Sequence, residues 1–600
     1  MQSNNIVVVI FLAKFTVGLM KDSPIVLNDQ YTPGSKKEII MQPPFYGFRE
    51  IALDKSSTGN LRFANDNPII TIPDGQIQGT KEQTIMQTTF YAFRGIPFAK
   101  PPVGDLRFAA PQKNDPWIGI LNATADRDWC PQMNAGNAVG SEDCLHLSVC
   151  TPDYKGNFPL MVEIYGGGFE AGTANFHSYR PDYLLAEDVV YVALNYRIGI
   201  LGFLSTGDMA CPGNNGLKDQ ILALKWVKKY IKYFGGDPNR VTVFGQSAGG
   251  ISIAYLVQSR LAKGLFHRGI MQSGSSLCAA GLTLEAPKRA FEIGELLGIK
   301  TTNSSVLVEH YRQVNVTDLL SVQTIYTTKF LLSDILTRAL PFGPVQEHHH
   351  PEAVFSGNSY EQYSKGDFQR IPLMIGSTSN EAGPLIRSLP LSLSTLALFE
   401  SDVTKFAPSN ITQNITKRVS VGTKVKTRFI GTSPIISQLP NFVTFLGRDA
   451  FSRPIRETVR LMSKYTEIYY YQFSYKGLLG NQNREYEGAS HGEDAIYLFA
   501  FPDSAATVMD LIMSDKMVTL WTNFAKTGNP TPAWSSKCSK SVLGNLVWKP
   551  NTNTHSTPDH SIQYLNINTT LRMQTNPFQE DWLFYKNLYL LYGDPPYFTY

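Results

Sequence analysis

Six hundred residues, 43% of them apolar and 17% charged, supply enough material for a large core and exclude wholesale disorder, collagen and coiled coil. Fifty-four Lys and Arg against 50 Asp and Glu leave a net charge of +4, spread without basic runs, which is no footprint for nucleic acid. Six cysteines in a chain of this size exclude a disulfide-built scaffold.

The first apolar run, Ile6 to Ala13, is too short to span a bilayer, which needs about 20 residues. Its length is that of a signal-peptide core, so residues 1–20 are expected to be a signal peptide and the protein to be secreted. No Lys or Arg precedes the run, and Lys14 follows it. No later segment approaches a membrane span, and the end, Asp594-Pro-Pro-Tyr-Phe-Thr-Tyr600, lacks the apolar tail of a lipid anchor. Asn-x-Ser/Thr sites at Asn122, Asn303, Asn315, Asn410, Asn414 and Asn568 are compatible with secretion.

Residues 21–66 contain a duplication. Gly34 to Ala64 aligns without a gap to Gly79 to Ala109, with about half of the positions identical. Phe45-Tyr46-x-Phe48-Arg49 matches Phe90-Tyr91-x-Phe93-Arg94, and Leu61-Arg62-Phe63-Ala64 matches Leu106-Arg107-Phe108-Ala109. Only the second copy carries the Pro-rich turn Gly95 to Gly104, so it is expected to be the folded one and the first a decayed duplicate. Residues 67–600 are then expected to form one domain. Within it Cys130 and Cys144 are near enough to close a short loop. The chain has no Cys-x-x-Cys, which leaves metal and redox readings by cysteine unsupported.

Leu160-Met-Val-Glu-Ile164 reads as a strand running into Tyr165-Gly166-Gly167-Gly168-Phe169. Consecutive glycines after a strand can turn backbone N–H groups toward developing negative charge. Val241-Thr-Val-Phe244 reads as a buried strand, Gly245-Gln246-Ser247-Ala248-Gly249 as a sharp turn, and Ile251 to Val257 as a helix. Strand, G-x-S-x-G and helix together are the context of a nucleophile elbow, with the Ala248 N–H completing an oxyanion hole.

In this architecture the order is serine, acid, histidine. Ile371 to Ile375 reads as a strand and Gly376 to Gly383 as a polar loop carrying Glu381. Glu352 and Asp367 are less well placed. His491 stands in a loop beyond the strand Glu467 to Phe473, a reachable position for a general base. His146 and His177 precede the elbow, His267 follows it too closely, and His310 has no strand before it. His348-His349-His350 share no face for a metal, and His555 and His560 sit in a polar stretch.

Further landmarks stand in order: Ala92 to Pro102, Ser141-Glu142-Asp143-Cys144-Leu145, Asn195-Tyr196-Arg197, Gly216-Leu217-Lys218-Asp219-Gln220, Gln272-Ser273-Gly274-Ser275, and Trp521 to Pro530. With the elbow they resemble the type-B carboxylesterase family, which includes the cholinesterases and many insect esterases. The resemblance implies an α/β-hydrolase fold with a mostly parallel sheet. It implies Ser247, His491 and Glu381 as nucleophile, base and acid, and Gly167, Gly168 and Ala248 as oxyanion hole. It also implies a Cys130–Cys144 disulfide, the ion pairs Arg107–Glu142 and Arg197–Asp219, and Ser273 ordering water or His491. The expected activity is hydrolysis of small to medium uncharged carboxylic esters through an acyl-enzyme, with no metal or organic cofactor, no nucleic-acid partner and no membrane span.

The chain also departs from the family. The second disulfide has no candidate cysteines between Cys278 and Cys538. The loop Pro131 to Asp143 lacks the aromatic residue with which cholinesterases bind a quaternary ammonium. Residue 246 is Gln where many relatives carry Glu; Gly-Gln-Ser-Ala-Gly is also the form of juvenile hormone esterases, which stand as the alternative. Adhesion proteins of the family (the neuroligin type) lack the nucleophile that is present here.

Overall fold

The computed structural model describes residues 67–600 apart from 177, 335–339, 384–392, 480–483, 485, 502–503, 534–541 and 553–560. Residues 1–66, with the expected signal peptide and first repeat copy, lie outside the described residues, as do His177, Cys538, His555 and His560. An 11-stranded mixed sheet organises the rest. Its strands in chain order are β1 (Thr80–Gln83), β2 (Thr89–Pro97), β3 (His146–Thr151), β4 (Phe158–Glu163), β5 (Val190–Leu194), β6 (Gly236–Gln246), β7 (Arg268–Gln272), β8 (Leu373–Thr378), β9 (Ile468–Phe473), β10 (Gln563–Ile567) and β11 (Arg572–Thr575).

The spatial order is β11-β10-β9-β8-β7-β6-β4-β5-β3-β2-β1. From β5 to β10 every neighbouring pair is parallel, while the edges at β3, β2, β1 and β11 are antiparallel. Parallel strands are covered on both faces, and their sequences accordingly run apolar without polar alternation. Val190, Val192 and Leu194 of β5 enter one core, and Tyr191 and Ala193 enter the other. Helices α1 (Asn215–Tyr230) and α2 (Ala248–Gln258) contribute to the first core. Helix α3 (Val508–Thr527) contributes Met517, Trp521 and Phe524 to the second. The arrangement is an α/β hydrolase in three layers.

Strand β8 runs through Gly376, Ser377 and Thr378, which the sequence assigned to a loop. A side chain on Gly376 would overlap the Tyr471 ring of β9, so the glycine marks a close approach inside the sheet. Strand β6 is also longer than its apolar stretch suggested.

Cys130 and Cys144 form a disulfide, closing a loop that holds the hairpin Gln132–Asn134 and Asn137–Val139. Arg107 donates to Glu142 at 2.7 Å and also to the carbonyls of Tyr311, Arg312 and Val314, tying this region to a later helix. Arg197 grips Asp219 through two bonds of 2.8 and 2.7 Å, both side chains being buried. Bidentate geometry is what makes a buried pair of this kind tolerable. Cys150, Cys211 and Cys278 are free thiols inside the protein. Among the described residues no helix is long and apolar enough to cross a membrane.

Candidate active site

Ser247 sits between β6 and α2 with φ 58° and ψ −120°. For a residue with a Cβ this conformation costs on the order of 1–3 kcal/mol, and it throws the hydroxyl out of the turn. The neighbours explain how it persists. Side chains on Gly245 or Gly249 would overlap the Ile164 carbonyl, so only glycine lets strand, turn and helix close this tightly. The Ser247 N–H is pinned to the Gln272 carbonyl at 2.8 Å. Ala248 opens α2, where the helix end carries positive potential beside the serine.

The glycine loop runs against the same spot: a Cβ on Gly166 would lie 3.2 Å from that of Ser247. Gly167 and Gly168 have φ of 109° and 63°, and the Gly167 carbonyl accepts from Glu170 and Ala171. The N–H groups of Gly167, Gly168 and Ala248 donate to no protein group among the described residues. Three unspent donors beside an outward-facing hydroxyl are suited to an oxyanion.

Glu381 is buried in the turn after β8, 1% exposed. Its Oε1 accepts from the Ser273 hydroxyl and the Thr378 N–H, each at 2.7 Å, and its Oε2 lies 2.5 Å from His491 Nδ1. The loops carrying the two residues are laced together. The Asn380 N–H donates to the Ala489 carbonyl, and the Ala489 N–H to the Ser379 hydroxyl. Phe451 packs on the imidazole at 4.5 Å between centroids.

Because Nδ1–H donates to the carboxylate, His491 Nε2 keeps its lone pair, as a general base requires. That lone pair faces the Gln246 amide nitrogen at 3.0 Å. Among the described residues no hydrogen bond joins His491 to the Ser247 hydroxyl; the amide of the adjacent residue meets Nε2 instead. Of the residues that sequence reasoning picked out, the carboxylate is bonded to the imidazole and the glycine loop lies against Ser247, while the imidazole meets Gln246 and not the Ser247 hydroxyl. Ser273 acts on the carboxylate, where the sequence assigned it to water or the imidazole. Sequence reasoning missed Phe451 and Thr378: the first lies in no motif, and the second contributes only its backbone.

The model of the carboxylesterase family matches residues 66–585. The juvenile hormone esterase of Tribolium castaneum is 36% identical over 70% of this chain and 77% of that protein. The liver carboxylesterase of Sus scrofa is 34% identical over 71% and 80%. The venom carboxylesterase-6 of Apis mellifera is 30% identical over 70% and 78%. Among solved structures, the juvenile hormone esterase of Manduca sexta, with OTFP covalently attached, superposes with a TM-score of 0.77 at 25% identity, covering 88% of this chain and all of that one. A family match over most of the chain, on an α/β-hydrolase sheet, identifies this protein as a member of the carboxylesterase family and a carboxylic ester hydrolase.

Proposed function

We propose that Ser247, His491 and Glu381 are the catalytic triad and that Gly167, Gly168 and Ala248 form the oxyanion hole. The observation that carries this reading is the Glu381–His491 bond of 2.5 Å, with His491 Nε2 held by Gln246, the residue next to a serine at φ 58°. Gln246 first yields His491 Nε2 to the Ser247 hydroxyl. The hydroxyl then attacks the ester carbonyl as its proton passes to Nε2, and the three N–H groups hold the oxyanion. His491 returns that proton to the departing alcohol. Water then repeats the sequence on the acyl-enzyme and releases the acid. The side chains hold every proton that moves, so the chemistry asks for no metal or organic cofactor.

Uncharged, hydrophobic esters of small to medium size are the proposed substrates. In support, Gln246 is neutral, the disulfide loop has no aromatic residue for a cation, and Phe451 and Leu340 border the site. A juvenile-hormone-type methyl ester is the second reading, favoured by the Tribolium castaneum and Manduca sexta relatives. Secretion is proposed as well, since a disulfide persists in oxidising compartments.

A fluorophosphonate probe should label Ser247 in the native protein, and Ser247→Ala should lose label and lower p-nitrophenyl ester turnover about 10⁶-fold. Turnover retained by Ser247→Ala would remove the triad. Comparing kcat/KM for a conjugated methyl ester against short aryl esters decides between the two substrate readings.

A further inference from the structure

The imidazole of the proposed base is covered on one face by an aromatic ring that no sequence motif announces. Helices Leu439–Gly447 and Arg453–Met462 are joined end to end by a π-helical turn, Arg448–Ser452. The turn and the second helix both pack on β8, the strand that leads to Glu381. A π turn inserts one residue into a helix and re-aims the side chains that follow, and such turns recur at functional sites.

This turn meets both members of the acid–base pair. A Cβ on Gly447, the residue before the turn, would lie 3.4 Å from the Glu381 nitrogen, so the helix end rests on the backbone of the acid. Phe451, within the turn, sets its ring 4.5 Å from the imidazole, centroid to centroid, at an interplanar angle of 40°. Two ion pairs clamp the turn: Arg448 with Asp581 at 3.3 Å, and Asp449 with Arg453 at 2.8 Å across Phe451.

Phe451 and the His491 side chain are each only 6% exposed. A histidine that takes a proton there becomes a cation with little water around it, and an uncompensated buried cation is costly. Glu381 answers the charge at Nδ1, in the plane of the imidazole. Asp494 is also in charge range of His491 but is engaged by Tyr471 and Gln272, and Arg448 stands in the field of Glu381. Gln246 is neutral. Out of the plane, Phe451 is the ring that packs on the imidazole among the described residues. The face of a phenyl ring carries negative potential and attracts a cation within about 6 Å of its centroid. An imidazolium gains more from that face than a neutral imidazole, so the contact strengthens as the proton arrives. Interactions that strengthen on the way to the transition state are the ones that raise the rate.

We propose that Phe451 is a positioning residue for ester hydrolysis, its ring face stabilising the imidazolium that His491 becomes as it takes the Ser247 proton. This role rests on the triad reading, in which His491 is the base.

Replacing Phe451 in the full chain by mono-, di- and trifluorinated phenylalanine tests it, because each fluorine drains negative potential from the ring face and barely alters its shape. The acylation rate, read as the single-turnover burst of p-nitrophenol, is expected to fall stepwise to about a tenth at the trifluorinated ring, with KM little changed. Phe451→Leu, which keeps an apolar cover without the ring, should be as slow as the trifluorinated protein, and Phe451→Tyr should recover most of the native rate. A flat rate along the fluorinated series, or Phe451→Leu as fast as native, would overturn the proposal. Either result leaves the triad in place when Ser247 still takes the fluorophosphonate and His491→Gln has lost turnover. Turnover kept by His491→Gln removes the triad and the role of Phe451 together.

Discussion

The two halves of the site are built by different physics. The half that holds the proposed nucleophile is local: strand β6, Ser247 and helix α2 are continuous in sequence, and backbone angles and missing side chains set the geometry. The acid–base half is assembled from Glu381 and His491, 110 residues apart, and side-chain hydrogen bonds set its geometry. A continuous turn is held by its own covalent connectivity and tight packing. A pair brought together across the sheet depends on each bond that holds it, so the two halves should fail in different ways.

The sharpest break is Glu381→Gln. The amide keeps the shape but can favour the wrong imidazole tautomer, so kcat should fall about 10⁴-fold with the fold intact by circular dichroism. Gly249→Ala tests the backbone half. Its new methyl overlaps the Ile164 carbonyl and shifts the turn, so turnover should fall about 10²-fold together with fluorophosphonate labelling, although every side chain of the proposed triad remains. Full activity in this variant would end the view that backbone crowding sets the serine.

Ser273→Ala removes one of the two hydrogen bonds to Glu381 Oε1 and leaves the Thr378 N–H. A loss of about tenfold in kcat with KM unchanged is expected, and a Ser273→Thr variant should recover part of it.

The smallest effect on activity belongs to Glu163, on the strand that feeds the glycine loop. Burial pushes its carboxyl up to about 7 from 4.5, opposed by the Tyr191 hydroxyl. An acid raised in the folded state is protonated there while the unfolded chain has already lost its proton. Stability is therefore full below pH 4.5 and falls as pH rises toward 7. Glu163→Gln should match the native Tm at pH 4.5 and exceed it at pH 8, by on the order of 3 kcal/mol in unfolding free energy. Equal Tm curves across that range would show that Glu163 is not held protonated.

Much of this could be read along the chain. A buried strand, glycines flanking a serine and an apolar helix are short-range features, so the elbow and glycine loop were legible from residues 160–169 and 241–257. The fold class and the ester-hydrolysing activity came from ordered landmarks, the activity through the family they resemble. Glu381 and His491 were candidates by strand-end position, but their partnership was carried by resemblance, because no local pattern encodes a contact over that separation.

The sequence alone determined where backbone conformation and burial had to be special, since those requirements act on neighbouring residues. Only the tertiary structure decided which side chain His491 faces, that Phe451 packs on it, and that Gly376 lies within a strand. These depend on which surfaces the sheet brings within a few ångströms of each other, and that proximity is a property of the folded chain as a whole.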